Sequence, residues 1–115
     1  MTLERGEIWL ANLNPTKGYE QGETRPIIIF QNEVFSQFST TVITILLTTN
    51  LRRASLPTCF LITAIERVIE RDSVALCYQL GVIDRARLQG KLGKLSLEIM
   101  TNLEGKVLLT LGYKF

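Results

Sequence analysis

A chain of 115 residues, 46% apolar and 21% charged, has the size and composition of one globular domain spanning 1–115 and able to bury a core without disulfides or metals. Thirteen Lys and Arg against eleven Asp and Glu leave a net charge of +2, too small to imply a nucleic-acid partner, so any such site must gather its charge locally. There is no histidine, which excludes imidazole-based ribonuclease, protease and zinc-hydrolase chemistry and leaves Arg, Lys, carboxylates, hydroxyls, amides and thiols.

Met1 to Gly6 lacks the apolar stretch of a signal peptide. The longest apolar run, Val42 to Leu47, is far too short to span a bilayer. A soluble, cytoplasmic protein with no membrane association is expected. Glu7 to Asn12 reads as a first strand that Asn14-Pro15 ends. The polar connection from Pro15 to Thr24, with Gly18 and Gly22, is long for a compact domain, and such loops are often functional. Pro26 to Gln31 is a second strand, with proline tolerated at its start. Asn32 to Phe38 admits one helical turn or an irregular excursion. Thr41 to Thr49 is a third strand whose near-continuous β-branched character predicts burial on both faces. Leu56 to Thr63 and Ser73 to Gln79 supply two more, with Val82-Ile83 a short continuation.

The tail has a different period. Ser96 is a good N-cap and Glu98 complements the helix dipole in the first turn. Ile99, Met100, Leu103, Val107, Leu108 and Leu111 recur at helical spacing, and Gly112 is placed to stop the helix. Gly105 inside it disfavours the helix by about 1 kcal/mol relative to alanine and so suggests a close packing contact. The fold class predicted is mainly β with a C-terminal helix, as a small bent sheet or barrel. Cys59 and Cys77 sit in apolar segments and read as small buried hydrophobes rather than reactive thiols or a disulfide.

Arg25 closes the glycine-containing loop and precedes Pro26, which holds it extended. Its guanidinium is a permanently charged planar fork that matches phosphate oxygens, although a surface arginine at a strand end needs no such role. Thr48 and Thr49 end an apolar strand before Asn50 and the pair Arg52-Arg53. Hydroxyls there are turn-formers or phosphate donors, and the two arginines are a solvated face or a collector of RNA backbone. Glu20, Gln21 and Glu23 place carboxylates and an amide beside Arg25, able to meet bases or take a proton, with plain loop solubility the simpler account of Glu23. Arg71-Asp72-Ser73 reads as a local ion pair and strand-start cap. Gln79 stands where it can read a base edge or orient a loop. Trp9 and Tyr19 offer stacking surfaces, though Trp9 within an apolar strand reads as core.

Together these segments resemble the MazF/PemK family of toxin–antitoxin ribonucleases. Arg5 to Pro15 is similar to the family's opening, and Gly18 to Pro26 to its signature loop ending in Arg-Pro. Gln31-Asn32, Thr48, Leu56-Pro57-Thr58, Glu70 to Val74, Gln79, Ile83-Asp84 and Arg87-Leu88 continue the likeness, which runs from about Arg5 to Leu111. The resemblance implies an SH3-like β-barrel with a C-terminal helix and a homodimer that binds RNA along its groove. It also implies metal-independent, cofactor-free, sequence-selective cleavage of single-stranded RNA, mRNA above all, to 2′,3′-cyclic phosphate and 5′-hydroxyl ends. Arg25 and Thr48 match the catalytic pair. Glu20, Gln21, Gly22, Thr49, Arg52, Arg53 and Gln79 fall at RNA-binding positions, and a cognate antitoxin is the implied protein partner. One departure is Gly81, where the family commonly carries a basic residue shortly after the glutamine.

Two other readings compete. A CcdB-like gyrase poison shares the barrel, but it acts through a Trp-Gly-hydrophobic ending, and Gly112-Tyr113-Lys114-Phe115 lacks the tryptophan. An SH3-like peptide-binding module needs an aromatic-lined groove, and aromatic residues here are only 8% with no clustered stripe.

Overall fold

Six strands form one antiparallel sheet in the computed structural model, which describes residues 2–13, 23–64 and 68–113. In chain order they are β1 (Glu7–Asn12), β2 (Thr24–Ile29), β3 (Thr41–Thr48), β4 (Cys59–Ile62), β5 (Ser73–Asp84) and β6 (Leu88–Lys94), with helices α1 (Glu33–Ser36) and α2 (Leu97–Thr110). Their spatial order is β4-β5-β3-β2-β1-β6. The mainly-β class with a C-terminal helix is as expected. Among the described residues no ladder joins β4 to β6, so the barrel is a strongly bent sheet and not a closed cylinder.

Strand alternation sorts the apolar residues into two layers. Ile8, Ile28, Ile45, Leu47, Ala75 and Cys77 point to one face, where Ile99, Met100, Leu103 and Val107 of α2 cover them. Trp9, Ala11, Ile27, Ile29 and Val42 point to the other, and with Leu3, Leu13, Ile83 and Leu88 they fill the concave side of the bend. Burying each of the Ile, Leu, Val and Met side chains among them stabilises by about 1.5–3 kcal/mol. β3 lies between two neighbours, so Val42, Thr44, Ile45 and Leu47 are buried, while Ile43 emerges beyond the reach of α2. Burial on both faces therefore holds for the middle of β3 and not for its start.

The largest register irregularity among the described strands lies in β5. Ile45 faces Leu80 while Leu47 faces Ala75, so two steps along β3 (45 to 47) match five along β5 (75 to 80), and three residues of β5 are surplus. Such a bulge bends its strand and raises the local twist. The odd surplus also exchanges the parity of the faces: Ala75 and Cys77 lie on the α2-covered face before it, and Leu80 and Val82 on the same face but exposed beyond the helix after it. One continuous β5 thus replaces the strand and short continuation expected. The expected strand Leu56 to Thr63 shrinks to β4, because Leu56 instead closes a 3-10 turn over Leu51–Ser55 by donating its N–H to the Arg53 carbonyl.

β6 was not expected at all. Its sequence, Leu88-Gln89-Gly90-Lys91-Leu92-Gly93-Lys94, has two glycines, two lysines and no β-branched residue. Pairing with β1 creates it, and a buried carboxylate reinforces the pairing. Glu7 is 2% exposed. Its Oε1 accepts from the Trp9 indole Nε1 at 2.9 Å and from the Glu4 N–H at 3.2 Å, and its Oε2 lies 2.9 Å from Lys91 Nζ. Burial alone would raise the Glu7 pKa; these donors outweigh it and hold the carboxyl below its ordinary value.

The tail follows its periodicity as far as Val107, whereas Leu111, expected on the same apolar face, is the C-cap and is 57% exposed. Ser96 Oγ accepts from the Ile99 N–H at 3.2 Å, Gly105 is buried, and Gly112 ends the helix at φ +88°. At the other end of the chain, Gly6 adopts φ +96°, and an added Cβ would meet Met100 of α2 at 3.4 Å. That close approach seats the first turn under the helix.

Candidate functional site

The β2–β3 register pairs Ile28 with Ile45 and Ile27 with Leu46. Continued outward by two residues, the same register sets Arg25 opposite Thr48. β2 begins at Thr24 rather than Pro26, because Thr24 and Arg25 pair with Asn12 and Ala11 of β1. Arg25 is therefore held within the sheet instead of at its threshold. Alternation gives Arg25 the parity of Ile27 and gives Thr48 that of Leu46, so both belong to the concave face at one rim.

Two contacts fix the guanidinium, whose side chain is 29% exposed. Nη1 lies 3.0 Å from Glu23 Oε1, and Nη2 donates to the Leu47 carbonyl at 3.1 Å. The remaining N–H donors are available to an anion. Thr48 Oγ1 accepts from the Asn50 N–H at 3.2 Å, and among the described residues nothing accepts its own proton. The rim so carries a cation fixed to the backbone one residue before Thr48 and, at Thr48, a hydroxyl donor. Glu23, which the sequence reads as loop solubility, is instead an ion-pair partner of Arg25.

Asn50 carries the site onward. Its Oδ1 accepts from the Arg52 N–H at 3.3 Å and caps the 3-10 turn that bears Arg52 and Arg53. Arg53 Nη1 donates to the Tyr78 hydroxyl, and Gln79 Nε2 donates to the same oxygen at 3.0 Å. The structure thus joins two expected RNA-binding residues through a tyrosine that sequence reasoning passed over. No local signal marked Tyr78, since its role depends on the β5 bulge. Its ring packs against Cys59, Val74 and Leu76.

Thr49 lies elsewhere. A cleft of about 600 Å³ is lined by Thr49, Pro26, Leu10, Leu92, Ile69 and Ser73 among others. Pro26 and Thr49 are the chain neighbours of Arg25 and Thr48, yet alternation turns them to the α2 face. The cleft therefore backs the candidate site and does not contain it. Glu20, Gln21 and Gly22, with Tyr19, lie outside the described residues. Trp9 is core, as its strand suggests. The ion pair expected between Arg71 and Asp72 is replaced: Asp72 Oδ1 accepts from the Ala64 N–H at 2.7 Å, tying β4's exit to β5's start, and Ser73 Oγ donates to the Arg71 carbonyl.

Comparison with known proteins supplies the context for this rim. The model of a family described as the PemK-like, MazF-like toxin of type II toxin–antitoxin systems matches residues 4–111. Endoribonuclease EndoA of Bacillus subtilis is 38% identical over 104 residues, covering 90% of each chain. Among solved structures, a MazE–MazF complex from Deinococcus radiodurans superposes with a TM-score of 0.83 at 19% identity, covering 99% of both chains. A mycobacterial endoribonuclease in complex with its cognate antitoxin gives 0.80 at 18% identity and 98% coverage of both. At those identities the structural matches speak to the fold.

Proposed function

The chain belongs to the PemK-like, MazF-like toxins of type II toxin–antitoxin systems, and from that membership we propose that it is a sequence-selective endoribonuclease acting on single-stranded RNA, mRNA above all. The observation that carries the reading is the rim that bears both Arg25 and Thr48, with guanidinium N–H groups and a hydroxyl proton open to a phosphate.

RNA brings its own nucleophile. The 2′-hydroxyl attacks the adjacent phosphorus in line and the P–O5′ bond breaks. The 2′ proton leaves the nucleophile and water protonates the departing O5′, giving a 2′,3′-cyclic phosphate and a 5′-hydroxyl. The chain has to hold that alignment and stabilise the charge that builds on the non-bridging oxygens. Arg25 brackets those oxygens in place of Glu23, and Thr48 donates a further hydrogen bond. A permanently charged guanidinium is a poor base, so Arg25 works through its charge. Glu20 or a substrate phosphate oxygen takes the 2′ proton. Arg52, Arg53, Gln79, Gln21, Gly22 and Thr49 contact the flanking nucleotides. No metal or cofactor is required.

We further propose a cytoplasmic homodimer neutralised by a cognate antitoxin that covers the RNA groove. Ile43 and Val82 face each other across β3 and β5 outside the cover of α2, Leu80 adjoins them, and Val82 is 65% exposed. Such an apolar strip suits a second copy. Antitoxin complexes are known for structures of this fold. No helix among the described residues is long and apolar enough to cross a membrane. The gyrase-poisoning alternative is disfavoured by the likeness to EndoA and by a catalytic-type rim that such a poison has no use for.

The test is to incubate the purified protein with a long single-stranded RNA in EDTA and map the new ends. Cleavage at a short recurring sequence, leaving cyclic-phosphate and 5′-hydroxyl ends, is expected, with no histidine-like titration between about pH 6 and 7. Loss of cleavage in EDTA with rescue by a divalent ion would overturn the mechanism.

A further inference from the structure

The Tyr78 hydroxyl is a junction. Arg53, from the 3-10 turn after β3, and Gln79, from the β5 bulge, reach it from two directions. A phenolic oxygen has lone pairs for two donors and one proton to give. A guanidinium can only donate, so the Arg53 contact fixes the tyrosine as acceptor there, and the Gln79 amide N–H occupies the remaining lone-pair direction. The phenolic proton must then point out of the cluster. Among the described residues nothing accepts it, and nothing donates to Gln79 Oε1. The cluster therefore ends in a donor and an acceptor held next to one another.

Its foundation is rigid on one side and open on the other. The Tyr78 ring is half-buried against Cys59, Val74 and Leu76, while Gln79 and Arg53 are exposed. Val74 is the cross-strand partner of Thr48, and Leu46, on the Thr48 face of β3, packs against the same cluster. The junction is thus on the concave face shared with Arg25 and Thr48, joined to Thr48 through Asn50 and the turn that carries Arg53.

We infer that Tyr78 is a specificity-determining residue: its hydroxyl holds Gln79 and Arg53 in one orientation and, with Gln79 Oε1, presents a fixed donor–acceptor pair to the edge of a nucleobase flanking the scissile phosphate. Adjacent donor and acceptor atoms are what a base edge offers, and a pre-set counterpart selects bases by leaving buried polar atoms unpaired when the wrong one enters. Arg53, with its charge anchored at the same oxygen, neutralises the neighbouring backbone phosphate. This inference rests on the ribonuclease reading and concerns selection of the site, not the bond-breaking step.

The experiment compares the parent protein, Tyr78→Phe, Gln79→Ala and the double variant on RNAs carrying the mapped cleavage sequence or single-base changes flanking the scissile bond. Tyr78→Phe keeps the ring and its packing and removes only the junction. It should lower kcat/KM at the preferred sequence by about tenfold while leaving one singly changed sequence cut at the parental rate, so that preference at one flanking position collapses. The double variant should be no less selective than Gln79→Ala alone, because both changes break the same unit. An unchanged preference in Tyr78→Phe, or a double variant whose loss is the product of the single losses, would overturn the inference. A purely structural role would slow all sequences alike and also overturn it. Failure of the parent protein to cut any RNA would instead remove the ribonuclease reading itself.

Discussion

Arg25 Nη2 donates to the carbonyl of Leu47 at 3.1 Å, which ties the guanidinium to the backbone one residue before Thr48. The bond crosses from β2 to β3 at the rim, so the position of the cation is set by the sheet and not by a flexible side chain. Replacing Arg25 by alanine should reduce cleavage by about 10²–10³. Stability should change little, because the side chain is partly exposed and its pair with Glu23 is at the surface. Arg25→Lys should recover little activity, since a point charge cannot hold the Leu47 carbonyl and a phosphate fork together. Single-turnover cleavage and thermal unfolding of the purified variants check both statements. Parental cleavage rates in Arg25→Ala would remove Arg25 from the reaction.

Thr48 tests the hydroxyl by itself. Thr48→Val keeps the β-branched shape that β3 favours and deletes the donor, so kcat should fall by about 10²-fold with KM little changed. Thr48→Ser restores the hydroxyl and should stay within a few-fold of the parent rate. Equal activity in the valine and serine variants would mean that Thr48 serves only to accept the Asn50 N–H.

What the sequence made legible follows from how local each signal was. The helix was readable because Ser96, the apolar spacing and Gly112 all lie within one continuous segment, and Ser96 and Gly112 behave as their chemistry predicts. β1 was readable at its exact bounds from Ile8-Trp9-Leu10, and β2 and β3 from β-branched runs with ends off by a residue or two, as at Thr24, where pairing with Asn12 extends the strand. β6 was invisible because its stability comes from β1 and from Lys91 on Glu7, contacts 77 to 87 residues apart along the chain. The β5 bulge, and with it the Tyr78 junction, is a property of register between strands, which no single segment encodes. Arg25 and Thr48 gained meaning from their order in a family-like pattern. The pairing of Glu23 with Arg25 had to be seen.

Glu7 predicts an acid-sensitive fold. Its carboxyl is held below the ordinary value by Trp9, Lys91 and Glu4 against the effect of burial, so the folded state binds a proton less readily than the unfolded chain. The resulting stability is fully present above the ordinary carboxyl range and is lost as pH falls through the depressed folded value. Glu7→Gln keeps an acceptor for the indole and gives up the charge. It should destabilise by about 1–3 kcal/mol at neutral pH and flatten the decline of stability below about pH 4.5. Urea unfolding across a pH series checks the difference, and parallel curves for parent and variant would mean the carboxylate is not the linked group.

The two thiols should be silent in the native protein. Cys77 is fully buried, and burial, with Cys59 nearby, pushes its thiol up to about 12. At pH 8 the thiolate needed for alkylation is scarce and enclosed. Mass spectrometry after brief iodoacetamide treatment should find Cys77 unmodified in folded protein and modified once urea is added. Rapid labelling of the folded protein would indicate that the layer beneath α2 opens readily.

The surplus of three residues in β5 has a genetic consequence. Because side chains alternate every residue, removing or adding one residue between Cys77 and Leu80 would invert every side chain from Leu80 to Asp84. Ile83 would leave the concave core, and Val82 would turn inward. Substitutions in this stretch can be absorbed one at a time. A change of length cannot, so mutational drift here should run through replacement alone, with chain length between Cys77 and Leu80 as the inherited quantity.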